Sequence, residues 1–119
     1  MLKYAVILGL VGASAIRTGS GQAPRCVPDP QRRLAVVTLA RLLNSEEARF
    51  FSAPQPSSVP QRYGSLSELG VGSGPDGFHV RLLSDGTGYA FSIKDSVDPC
   101  HFALFSDQEG LIYTAQPLQ

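Results

Sequence analysis

From Gln31 to Phe51 the chain runs without glycine or proline, and Val36, Leu39, Ala40, Leu43, Glu47 and Phe50 recur at steps of three and four. That spacing places them on one face of a helix. Leu34, Val37 and Leu42 widen the apolar surface in its first half, and Arg32, Arg33, Arg41, Glu46 and Arg49 fill the remainder as a solvated face. Asp29-Pro30 supplies the start, because an aspartate can cap the first free amides and proline sits well in a first turn. Between Ser52 and Arg62 three prolines and three serines end the helix. Ser65 and Glu68 have the spacing of a capping box, which predicts one short helical turn with Leu66 and Leu69 as its buried pair. The glycine-rich stretch from Gly70 to Gly77 is too pliant for regular structure.

The period then changes to two. Phe78, Val80 and Leu82 alternate with His79, Arg81 and Leu83, and Tyr89, Phe91 and Ile93 alternate with Ala90, Ser92 and Lys94. Asp85-Gly86 between them is a hairpin signal. Residues His101 to Phe105 and Leu111 to Ala115 read as a third and fourth strand, separated by the turn Ser106 to Gly110. Short links favour neighbours in sequence as neighbours in space, so the sheet is expected to be a meander. The predicted fold class is α+β: one long N-terminal helix packed on a four-stranded antiparallel meander sheet. Tyr63, Tyr89, Phe91 and Tyr113 are expected in its core.

The first residues follow neither pattern. Met1-Leu2-Lys3 is a short cationic start, Tyr4 to Ile16 is apolar, and Arg17 to Ala23 is small and polar. The apolar run is shorter than the roughly 20 residues that span a bilayer, so residues 1–23 read as a secretory signal peptide. Cleavage after Ala23 fits the small residues there, with Ala13 and Ala15 as alternatives; an uncleaved anchor is the competing reading. Removal takes away Lys3 and Arg17, leaving a single domain over residues 24–119 with eight basic and ten acidic residues. A mildly acidic domain lacks the cationic surplus of a nucleic-acid binder. No stable membrane span remains once the signal is gone. The expected location is secreted or periplasmic, where Cys26 and Cys100 read as one disulfide. Their spacing does not make the C-x-x-C of a redox pair.

Within this frame four segments, in order, resemble the globular part of bacterial type IV pilins and type II secretion pseudopilins. Asn44-Ser45-Glu46-Glu47-Ala48-Arg49-Phe50-Phe51 is similar to the Ala-Glu-x-x-Tyr helix end of pilin-like proteins. Tyr63-Gly64-Ser65-Leu66-Ser67-Glu68-Leu69 resembles their Tyr-Gly-x-Leu-x-x-Leu segment, and Gly88-Tyr89-Ala90-Phe91-Ser92-Ile93 their Gly-Tyr-x-Phe strand. Phe105 to Tyr113 resembles the closing Phe-x-x-Asp-x-x-Gly-x-Ile hairpin. The chain departs from the family at its start, where the long prepilin helix with a glutamate at its fifth position is missing. The resemblance therefore implies an exported headgroup-like domain, non-catalytic, acting through an unidentified protein partner at the cell envelope.

The chemistry-bearing residues add little to that expectation. His79 and His101 with the two cysteines could compose a zinc set, but adjacent Cys100-His101 is an awkward ligand pair and the disulfide competes for both sulfurs. Asp95, Asp98, Asp107 and Glu109 lie in two turns; calcium is one reading and turn formation the other, and no EF-hand pattern is present. No G-x-S-x-G run or ordered triad occurs. No cofactor, metal or small-molecule ligand is expected. The alternatives are a small secreted hydrolase with scattered site residues and a membrane-anchored minor pilin-like subunit.

Overall fold

A computed structural model describes residues 26–72 and 74–117 of the 119-residue chain. The expected signal peptide lies outside the described residues. The first element among the described residues, helix α1, spans Pro30–Ser52, so the long helix expected at the N-terminus starts 29 residues into the chain. The Asp29 carboxylate accepts hydrogen bonds from the Gln31 and Arg32 amides at 3.0 and 3.2 Å, and Pro30 occupies the first turn, as the capping rule requires. Extended Ala53, just before Pro54, stops the helix. Val36, Leu39, Ala40, Leu43 and Glu47 are its buried residues. Of the three residues expected to widen this face, Val37 packs against the core, whereas Leu34 and Leu42 are exposed.

A proline-rich connection leads to α2, Leu66–Leu69, with both halves of the capping box made: the Glu68 amide donates to Ser65 Oγ and the Ser65 amide to Glu68 Oε1. Gly70, at φ 70°, closes the turn in the left-handed conformation that glycine adopts without cost. The sheet follows as β1 (Phe78–Ser84), β2 (Tyr89–Asp95), β3 (Ala103–Asp107) and β4 (Ile112–Ala115). All neighbours are antiparallel and the order is β1-β2-β3-β4, the expected meander.

Register decides which side chains meet α1. Val80, Ile93 and Leu104 lie across from one another, as do Leu82, Phe91 and Ser106. With α1 laid over β2 and β3, Ile93, Leu104 and Phe91 enclose Leu43 and Val36 in one core. Phe78, Tyr89 and Phe102 extend it, and Leu66, Leu69 and Val71 pack at its margin. The opposite face of the sheet carries no second layer among the described residues. Tyr113, expected inside, is therefore 44% exposed.

Candidate functional site

Two groups of polar side chains are buried along α1, one at each end. At the start of the helix Arg32 reaches the last residue of β2, Asp95. Its Nε and Nη2 donate to the two Asp95 carboxylate oxygens, each at 2.8 Å, and Nη2 also donates to the Asp76 carbonyl at 2.8 Å. The two-pronged geometry suits a planar guanidinium and gives stronger, more directional bonds than a lysine could. Hydrogen bonds from Arg32 hold the Asp95 carboxyl below its usual range, assisted by the Val97 and Asp98 amides. Asp95 is thus ionised and saturated with donors.

Arg33 and Asp98 form a looser pair beside it, Nε to Oδ2 at 3.7 Å. The other Asp98 oxygen accepts from the Cys100 amide at 2.7 Å. The guanidinium groups of Arg32 and Arg33 lie over the Phe78 and Phe102 rings, 4.8 and 4.5 Å from their centroids. The Cys26–Cys100 disulfide, with Cα atoms 5.2 Å apart, joins the loop after β2 to the chain just before the helix. The end of β2 and the loop after it are therefore fastened three times to the beginning of α1 and the chain just before it. The expected solvated face fails for Arg32 and Arg33 because those aspartates, more than sixty residues away in sequence, are folded under the helix start.

The second group sits toward the other end. Glu47 is wholly buried, and its Oε1 accepts the Gly64 amide at 2.7 Å while Oε2 has no partner. Burial pushes its carboxyl upward from the ordinary range, against the opposing pull of the Gly64 hydrogen bond. Close by, the Tyr89 hydroxyl donates to Asn44 Oδ1 at 2.6 Å, Asn44 Nδ2 donates to Ser106 Oγ at 3.1 Å, and Ser106 donates to the Leu111 carbonyl at 2.6 Å. Burial, then the nearby Glu47, raises the Tyr89 hydroxyl to about 12. Tyr63 stacks on Phe51 with centroids 4.5 Å apart and meets Tyr89 edge-on at 4.9 Å.

Chemically, these groups bind one another. Asp95 is committed to Arg32, Tyr89 is held protonated, and Glu47 is enclosed. Two shallow surface recesses, of about 250 and 300 Å³, both touch Glu68. Its carboxyl is lowered to about 2 by Arg62, whose Nη2 donates at 2.6 Å, so it is a weak proton acceptor at neutral pH.

The structure joins the two cysteines and separates the other expected candidates. Among the described residues no group of three or more His, Cys, Asp or Glu is placed to hold a metal. His79 is exposed on β1, and His101 sits in the loop with φ 55°. Asp95 and Asp98 lie at one end of the sheet, whereas Asp107 accepts the Glu109 amide in the turn at the other. The burial of Glu47 was signalled by its place on the apolar helix face, but its Gly64 partner carries no side-chain signal. No helix among the described residues is long and apolar enough to cross a membrane. Comparison with protein-family models, curated proteins and solved structures finds no match.

Proposed function

We propose that this chain is an exported, non-catalytic domain of pilin-headgroup type that acts through protein contacts at the bacterial cell envelope. The observation that carries the reading is that the four segments bearing the family resemblance are wired to one another. Glu47, from the helix end, accepts the amide of Gly64 in the second segment. Tyr89, from the third, donates to Asn44 of the first, and Asn44 donates to Ser106 of the fourth. Segments that look alike in sequence order thus meet as the joints of one fold. The polar groups at those joints serve the architecture, which favours an interaction module over a hydrolase.

The test is to identify the mature N-terminus and thiol state of the native protein by mass spectrometry after cell fractionation. The expected result is an exported species that has lost residues 1–23 and contains no titratable thiol. An intact Met1 in a cytoplasmic species with free thiols would sink the export reading. Hydrolysis of ester, peptide or glycoside substrates by pure protein, abolished by a single side-chain substitution, would replace it with the hydrolase.

A further inference from the structure

We propose that the outer face of the sheet docks an extended acidic segment of a partner protein, whose carboxylates meet Arg81 and Lys94 and whose apolar side chains rest on Phe105 and Tyr113. The proposal rests on the interaction-domain reading above and deepens it.

Register places these side chains in two adjoining rows. Arg81, Ser92, Phe105 and Tyr113 lie across the four strands, and His79, Lys94, Ala103 and Ala115 form the next row. Within these two rows one half is therefore cationic and the other aromatic and apolar, with Ser92 and Ala103 leaving a low floor between them. Phe105 and Tyr113 remain 47% and 44% exposed although they stack on each other at 5.1 Å. Leu83 at the neighbouring corner is 69% exposed.

The two cations of this face form no ion pair among the described residues. Arg32, Arg33, Arg49 and Arg62 each have a carboxylate partner, whereas Arg81 and Lys94 on this face, and Arg41 alone on α1, have none among the described residues. Neither row contains an acid. Asp107, opposite Ala90 in the next row of the same face, is the acid nearest to them there, and its Oδ1 accepts the Glu109 amide. Unpaired cations beside exposed rings complement a surface that combines carboxylates with apolar side chains.

A second copy is a poor occupant, because face-to-face pairing would set four cations against only the two Asp107 carboxylates, each already accepting an amide of its own turn. Single-stranded nucleic acid is also disfavoured. Mutual stacking of Phe105 and Tyr113, with planes 19° apart, already covers one face of each ring, so each has at most one face left for a base.

The test uses the full chain, ¹⁵N-labelled, with a fluorescein-labelled peptide alternating Glu and Leu. A Lys-Leu peptide and oligo-dT serve as comparisons. Binding of the Glu-Leu peptide is expected to shift amides of β1–β4 around Arg81, Lys94, Phe105 and Tyr113. The charge reversal R81E/K94E should weaken it by at least about tenfold. F105A/Y113A should weaken it as well, while far-UV circular dichroism of both variants stays native. Undetectable peptide binding, or equal binding of the Lys-Leu peptide, overturns the docking surface. Shifts confined to α1 overturn this surface and leave the interaction reading standing. Tighter binding of oligo-dT, lost in R81E/K94E, overturns the acidic-peptide proposal and the protein-contact reading together.

Discussion

Cutting the Cys26–Cys100 bond by the double substitution C26S/C100S releases a closed loop with a sequence separation of 74 residues. In the chain-entropy description a loop of this length restrains the unfolded chain by about 4.5 kcal/mol at room temperature. For a domain of roughly 90 ordered residues, whose unfolding entropy is about 0.19 kcal/mol/K, that corresponds to a Tm lower by about 24 °C. The folded state should keep its shape, because Arg32 still holds Asp95 by two hydrogen bonds and Arg33 still faces Asp98. The loss should therefore come from the unfolded side. Urea denaturation followed by far-UV circular dichroism checks this, tryptophan being absent from the chain.

Three results are expected together: a lower midpoint, a larger m-value because the released chain exposes more surface, and additivity with D95N. D95N alone removes the charge beneath Arg32. Since the Arg32 side chain is 23% exposed and water can reach it, the cost should be about 2 kcal/mol rather than the 3–5 of a fully enclosed pair. The triple variant should lose the sum to within about 0.5 kcal/mol. A loss below about 1 kcal/mol on cutting the disulfide, or a coupling above about 1 kcal/mol with D95N, would refute the unfolded-state account. The bond would then be acting by holding the loop in place.

Glu47→Gln tests the other end of α1. A carboxyl raised in the folded state contributes stability that is fully present below its unfolded pKa of about 4.3 and is lost as pH rises through the folded value. Denaturation midpoints of the parent should thus decline on going from that range toward neutrality relative to E47Q, which keeps the acceptor for the Gly64 amide; parallel pH profiles would contradict this. Asp95 and Glu68, both lowered, act in the opposite sense. Their contribution is present above the unfolded carboxylate values and disappears as pH falls through the folded ones. D95N should accordingly flatten the acid limb of the parent's profile, as measured by acid titration of the dichroism signal. Gly64→Ala sets a new Cβ about 3.1 Å from the Phe50 ring, so a thermal melt should show a loss of about 1–3 kcal/mol; an unchanged melt would mean that Phe50 gives way freely.

Most of the secondary structure was legible because its signals are local. Asp29-Pro30 marks the start of α1, Ser65 and Glu68 make their capping box, and Asp85-Gly86 turns the hairpin with Gly86 at φ 91°. The buried polar groups were not legible in the same way. Arg32 finds Asp95 only after the sheet has formed and the loop has folded under the helix start, and no spacing rule links residues so far apart. Glu47 was visible as an acid on an apolar stripe, but a backbone amide compensates it. Alternation sorted the strand residues into two faces without saying which face a layer would cover. That is why Tyr113 was expected in the core and lies outside.

A two-layer domain leaves one sheet face to water, and a face adapted only to water would be polar on every strand. Here the polarity is unevenly divided: β1 and β2 present His79, Arg81, Ser92 and Lys94 with Leu83 and Ala90 at one end, whereas β3 and β4 present Ala103, Phe105, Tyr113 and Ala115 with Asp107 at that same end. Extending the sheet at its β4 edge would not cover those rings. That edge is only four residues long, and Pro117, two residues beyond it, has no amide to donate to a further strand. An added strand would also lie beside the rings rather than over them. Only something laid across the face removes Phe105 and Tyr113 from water. The positive charge that such an occupant must meet lies on the two strands farther from the short edge, which sets the direction in which an acidic segment would cross the sheet.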